Sequence, residues 1–144
     1  MDIGSIKINA SKIEDGVWVD TIPEFGDLRL LVRGTSSFAY RDAIGRLSRN
    51  LPKNKRNDDG SVPAKELDRL TAQALAEGAL LGWENVEIGG VAVPFSKERA
   101  VDLLTDPDYS KFADAVMFAA QKVNASAPDE TALVGNSETV SSGK

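Results

Sequence analysis

The first clear pattern along the chain is a pair of short apolar runs typical of β-strands. Two runs rich in β-branched and aromatic residues are separated by a turn-forming cluster that contains Pro23 and Gly26. This order predicts a β-hairpin with strands over residues 16–21 and 27–33. Because Trp18 lies within the first of these strands, we expect it to pack beneath the helices that follow.

Farther along, apolar residues recur at helical spacing and form one face at about 100° per residue. The first helical segment ends before Pro52. We expect Leu67 and Leu75 on the buried face of the second helix, and Phe112 and Val116 on that of the last. The four predicted helices span about residues 38–51, 63–81, 97–104 and 106–123.

A second, smaller hairpin is predicted between the second and third helices. Apolar residues from Val86 to Val93 alternate around the turn sequence Gly89-Gly90. Trp83 follows a helix stop and is expected to anchor this hairpin against the core. The predicted fold class is therefore α+β, with an N-terminal β-hairpin followed by a mostly helical core of about four helices and a small second hairpin.

The pattern divides the chain into three parts. Residues 1–15 form a weakly patterned N-terminal extension, in which Ile6-Lys7-Ile8 indicates a short strand. Residues 16–123 form the folded domain. Residues 124–144 are rich in Ser, Thr, Gly and Asn, with too little apolar surface to offset the entropy of ordering them. We therefore expect a flexible C-terminal tail.

The composition excludes several kinds of chemistry. The chain of 144 residues contains no cysteine and no histidine, which removes thiolate chemistry, the commonest metal ligand and the commonest general base. Asp102, Asp106 and Asp108 could suggest a Mg²⁺ site, but their spacing fits helix capping equally well. We expect no enzyme activity, and no catalytic, cofactor-binding or metal-binding residues. The sequence points instead to a protein that binds other proteins.

The charge distribution and hydropathy bear on partners and location. The net charge of -5 argues against nucleic-acid binding, although the segment from Ser36 to Arg56 contains six basic residues and one acidic residue. No apolar run approaches the roughly 20 residues of a membrane helix, so no membrane association is expected. The N-terminus lacks the pattern of a secretory signal, and we expect the protein to stay in the compartment where it is made.

Three residues are candidates for binding a partner. Phe118 lies about 180° from Tyr109 on the last predicted helix, among polar and charged residues. An aromatic side chain at such a position is either covered by another element or serves as a docking anchor, and both interpretations stay open. Arg46 and Arg49 lie on the polar face of the first helix, where a solvated face is the usual interpretation. Their concentration on an acidic protein favours an acidic partner.

The order of the central motifs resembles that of a known family. An alanine-rich helix ends in Gly82-Trp83, a short turn follows, and Pro94-Phe95-Ser96 leads into a short helix that contains leucine. The preceding hairpin and Arg-rich helix, the Asp106-Pro107-Asp108-Tyr109 opening of the last helix and the ending Leu133–Ser137 also agree. Over about residues 16–137, the chain is similar to tail assembly chaperones of siphophage-type bacteriophages.

This resemblance implies a non-enzymatic protein that binds the tape measure protein and helps recruit tail-tube subunits during tail morphogenesis. It implies action in the host bacterial cytoplasm and absence from the mature virion. Many such genes also encode a longer, frameshifted form, which would be a further partner. Two alternatives stay open, a structural head–tail connector or tail component and, less favoured, a nucleic-acid-associated regulator that uses the basic segment.

Overall fold

The computed structural model describes residues 1–126, and the predicted tail lies outside the described residues except at its start. The confirmed α+β fold contains an N-terminal hairpin, a helical core and a second small hairpin. The strands are β1 (Val17–Val19), β2 (Arg29–Val32), β3 (Leu80–Glu84), β4 (Glu87–Ile88) and β5 (Val91–Ala92). The α-helices are α1 (Ala10–Asp15), α2 (Phe38–Asn50), α3 (Ala64–Ala74), α4 (Lys97–Leu104) and α5 (Ser110–Ser126).

The main sheet has three antiparallel strands in the order β1-β2-β3. Val17 pairs with Val32 across the hairpin, and Leu30 pairs with Trp83 on the other side of β2. α5 packs across β2 and β1, and the alternate residues Leu30 and Val32 are fully buried. The core therefore lies between one face of the sheet and the helices.

Helices α1, α2 and α4 begin where a side chain accepts a hydrogen bond from a free amide group of the first turn. The Ser37 hydroxyl accepts a hydrogen bond from the main-chain N–H of Tyr40 at the start of α2. The Glu14 carboxylate also caps α2 by accepting from the N–H of Phe38 at 2.8 Å. Ser96 caps α4, and Asp106 caps a 3₁₀ turn, Pro107–Tyr109, that leads into α5.

The predicted second helix is wrong at its C-terminal end. α3 ends at Ala74, a π-helical turn covers Leu75–Ala79, and the chain then becomes strand β3. Leu80 is fully buried and pairs with Val32, so its apolar character serves a sheet position. Periodicity alone could not separate these two outcomes, because a short apolar run fits a buried strand as well as a helix.

A close contact with α2 lies where this change occurs. A Cβ atom added to Gly78 would lie 2.8 Å from the carbonyl oxygen of Ala39 and 2.9 Å from the Cα of Tyr40. The Arg33 guanidinium donates a hydrogen bond to the Gly78 carbonyl at 3.1 Å. The ammonium group of Lys97 donates to the carbonyl oxygen of Ala76 at 3.2 Å. These donors satisfy carbonyl groups that a continuing helix would have used internally.

The second hairpin and its anchor are as predicted. Trp83 is buried, and its Nε1–H donates a hydrogen bond to the carbonyl of Val93 at 2.7 Å. Its ring packs edge to face against Phe95 and Phe112, with ring centroids 4.9 Å and 5.7 Å apart. Gly89 and Gly90 both have positive φ angles, as the turn between β4 and β5 requires.

Three further expectations are corrected. Trp18 does not pack beneath the helices: it is 39 % exposed, with the Arg29 guanidinium 4.8 Å from its ring centroid. Leu67 is 49 % exposed, whereas Leu75 and Val116 are buried as predicted and Phe112 is partly buried. In the N-terminal extension, a 3₁₀ turn covers Ile3–Ile6 and Ile8 forms a single β-bridge, so the indicated strand Ile6-Lys7-Ile8 does not form as a continuous strand.

Candidate protein-binding surfaces

Phe118 lies on the exposed side of α5. The side chain is 40 % exposed, and the neighbouring positions Lys111, Asp114 and Gln121 on the same side of the helix are also exposed. The opposite side carries the buried Val116 and other core residues. Among residues 1–126, the Phe118 side chain is therefore partly exposed and available for contact.

Arg46 is paired with another residue of the same domain. Its guanidinium forms an ion pair with the Glu77 carboxylate, with 2.5 Å between the two atoms, and links α2 to the π-helical turn. The Gln73 amide donates a second hydrogen bond to Glu77 at 2.7 Å. Arg46 is exposed, but a partner that used it would have to compete with Glu77.

This network sets the ionisation of Glu77. Burial opposes the charged form of its carboxylate. The hydrogen bonds from Gln73 and Arg46 and the positive charges of Arg46 and Lys97 together outweigh that effect, so the pKa of Glu77 lies below its ordinary value. Glu77 is therefore ionised at neutral pH.

Arg49 is the freer of the two candidate arginines. It is exposed, and within residues 1–126 its guanidinium has no hydrogen-bond or ion-pair partner. One of its nitrogen atoms would lie 3.3 Å from a Cβ added to Gly45, so the side chain folds back along α2. In the described part of the chain no cation–π contact joins either arginine to Phe118, which lies on a different helix.

A pocket that sequence reasoning missed lies between the first loop, the second hairpin and the start of α5. It has a volume of about 230 Å³ and is open to solvent. Aromatic and aliphatic side chains form most of its wall, and we name it the aromatic pocket. Its lining residues are Phe25, Leu28, Asn85, Val86, Glu87, Ile88, Leu103, Tyr109 and Phe112. Because they come from four separated segments, no local motif signals the pocket.

The backbone around the aromatic pocket adopts unusual conformations. Within residues 1–126, all three non-glycine residues with positive φ lie in the two loops beside it, namely Thr21 (55°), Glu24 (73°) and Asn85 (67°). For a β-branched residue such as Thr21 this conformation is rare. Asn85 also ties the two loops together, because its side-chain amide donates to the carbonyl of Asp27 at 2.8 Å. The loops are thus held in a defined, strained shape.

The residues around the aromatic pocket are mostly acidic. Glu87 belongs to the wall and is exposed, and the exposed Glu24, Asp27 and Asp108 are each adjacent in sequence to a lining residue. We refer to these four carboxylates as the acidic rim. Two basic residues, Arg29 and Lys111, are also adjacent in sequence to a lining residue, and Arg29 is paired with Glu84. The pocket therefore combines an apolar interior with a negative surround.

A second, shallower groove of about 200 Å³ lies between the end of α2 and α3. Leu47, Leu51 and Leu70 contribute apolar surface, and Lys55 and Arg69 contribute positive charge. Of the six basic residues between Ser36 and Arg56, only Lys55 lines this groove, and neither Arg46 nor Arg49 does.

Residues 1–126 contain no cluster of three or more acidic side chains with metal-binding geometry. Among them, no helix is both long enough and apolar enough to cross a membrane.

Comparison with protein-family models gives a match over most of the chain. A family model described as YdaY prophage protein matches residues 34–136, well over half of the chain. The match begins just after the N-terminal hairpin and includes α2 to α5, with the second hairpin and most of the aromatic pocket. No curated protein matches the chain, and no solved structure does.

Proposed function

Because the chain belongs to the YdaY prophage protein family, we propose that it is a phage tail assembly chaperone. In this proposal it is not an enzyme. It binds the tape measure protein and helps recruit tail-tube subunits while the tail is assembled. It acts in the host bacterial cytoplasm and leaves before the virion is complete. The prophage origin and the motif order from Gly82-Trp83 to the start of the last helix support the proposal.

The observation that carries the proposal is a well-packed domain that keeps large apolar side chains on its surface. Leu30, Leu75, Leu80 and Val116 are completely or almost completely buried, so the core is complete. Nevertheless Phe118 remains 40 % exposed on the polar side of α5. Exposed aromatic side chains are over-represented among residues that dominate protein–protein binding. A chaperone needs such surface to cover apolar segments of an unassembled partner.

Co-purification with the tape measure protein encoded by the same prophage tests this function. We expect the tagged protein to retain the tape measure protein, and Phe118→Ala to retain at least about tenfold less, as for an interface hot spot. Gln121→Ala is the matched control, because it shortens another exposed side chain on the same side of α5. Equal retention by both variants at unchanged melting temperature would place the interface elsewhere.

Analysis of purified particles separates the proposal from a structural role. A tail assembly chaperone should be present in lysates of induced cells and absent from finished virions. Detection of stoichiometric amounts in purified virions by mass spectrometry would contradict the proposal and favour a head–tail connector or tail component.

A further inference from the structure

We propose that the aromatic pocket is a docking site for a segment of a partner protein in which an apolar side chain is flanked by lysine or arginine. The inference deepens the proposed function, on which it rests for the assumption that the partner is a protein. It assigns the pocket and the acidic rim a role separate from those of Phe118 and the arginines of α2.

The size and wall of the pocket indicate what enters it. Pockets for small molecules and cofactors usually measure about 300–1,000 Å³. A volume of about 230 Å³ is smaller, but it is sufficient for one large side chain or two small ones. The aromatic rings of Phe25, Tyr109 and Phe112 provide a wall that attracts apolar groups. An anchoring side chain from another protein therefore fits better than a cofactor.

The charges around the pocket indicate what flanks that side chain. Glu87 forms part of the wall, and within residues 1–126 neither a hydrogen bond nor an ion pair engages its carboxylate. By contrast, the nearby Glu84 is paired with Arg29 at 2.5 Å, so it contributes little net charge. The acidic rim thus leaves an excess of negative charge that basic residues beside the anchor would complement. The same excess repels nucleic acid, whose phosphates are negative.

Contacts within the wall indicate that the pocket exists before a partner arrives. The hydrogen bond from Asn85 to Asp27 joins two of the loops that contribute to the wall. Trp83 packs against Phe112 and supports the wall from the core side. A preformed pocket avoids part of the entropy loss that accompanies ordering on binding.

Nuclear magnetic resonance titration with synthetic peptides tests the site on the full chain. The probe is the hexapeptide Lys-Lys-Leu-Phe-Lys-Lys at millimolar concentration. We expect saturable shifts of the amide signals of residues 25–28, 85–88 and 109–112. Two matched peptides separate the contributions, one with Ala-Ala in place of Leu-Phe and one with Glu in place of every Lys. Both should bind at least about fivefold more weakly, since each lacks one of the two complementary features.

Charge-reversal variants then locate the binding site. Glu87→Lys should weaken binding of the Lys-Lys-Leu-Phe-Lys-Lys peptide about fivefold, because it removes one attraction and adds a repulsion. Asp68→Lys is the matched control on α3, outside the pocket wall, and should leave binding unchanged. Both residues are exposed, so neither change endangers folding.

Several outcomes would overturn the inference. These are an absence of saturable shifts, shifts outside the pocket, equal binding of the Glu-flanked peptide, or equal effects of Glu87→Lys and Asp68→Lys. Because the peptides contain no phage sequence, failure here leaves the co-purification test of the proposed function intact. Conversely, peptide binding without retention of the tape measure protein would support the docking role of the aromatic pocket and contradict the proposed chaperone function.

Discussion

The ammonium group of Lys97, at the first position of α4, donates a hydrogen bond to the main-chain carbonyl of Leu80, the first residue of β3. Further hydrogen bonds reach the carbonyls of Ala76 and Glu77. Much of the Lys97 side chain is exposed, but partial burial of its charged end lowers its pKa, with the nearby Arg33 acting in the same direction. The Lys97 ammonium group thus stabilises the junction between the π-helical turn and β3.

Replacing Lys97 with Met should destabilise the domain by about 1–2 kcal/mol, because carbonyl groups at the end of the π-helical turn lose their donor. Urea denaturation followed by circular dichroism measures the loss. Lys122→Met is the control, since this lysine is exposed on α5. Equal stability of the two variants would show that water replaces the Lys97 ammonium without cost.

Gly78→Ala should destabilise the protein by about 2–3 kcal/mol, although alanine favours helix. The new methyl group would meet the backbone of Ala39 and Tyr40 at less than 3 Å, so α2 would have to move. Gly45→Ala is the matched variant, because a Cβ there meets only the flexible end of Arg49. It should stabilise by up to about 1 kcal/mol. Thermal unfolding of both variants decides whether packing or propensity governs these positions.

Glu77 should make stability depend on acidic pH. Its pKa is lower in the folded protein than its ordinary value of 4.5, so the folded state favours the charged form. Its contribution is therefore fully present above pH 4.5 and is lost as the pH falls through the lower folded value. The stability difference between the natural protein and Glu77→Gln should shrink between pH 7 and pH 3. A constant difference across that range would contradict this assignment.

Asn124 should contribute to stability, whereas the segment after it should not. The Asn124 side chain donates to the Thr35 hydroxyl and accepts from the Ser36 hydroxyl at 3.0 Å, so it ties α5 to the start of α2. We expect Asn124→Ala to cost about 1–2 kcal/mol. Deletion of residues 127–144 should leave the melting temperature within about 2 °C, because this segment carries little apolar surface. A large loss on deletion would show that the segment packs on the domain.

Some features of the candidate sites could be predicted from residues close together in sequence, whereas others depend on contacts between residues far apart in sequence. Phe118 could be proposed from the sequence because helical spacing alone placed it opposite a continuous apolar stripe. The pairing of Arg46 with Glu77 could not, since these residues are 31 positions apart and belong to different elements. The aromatic pocket was missed for the same reason, because its wall exists only where the loop at Phe25 meets Tyr109.

The sequence by itself determined the first hairpin, the starts of α2 and α4, and the turn at Gly89-Gly90, since caps, periodicity and turn residues act over a few positions. Only the tertiary structure decided that Leu80 lies in a strand, because pairing with Val32 and the donors from Arg33 and Lys97 are contacts with distant segments. It also decided that Trp18 remains partly exposed, because that depends on which face of the sheet α5 covers. Local conformational preferences can be read from neighbouring residues in one sequence, but long-range packing depends on contacts between segments that are distant in the sequence.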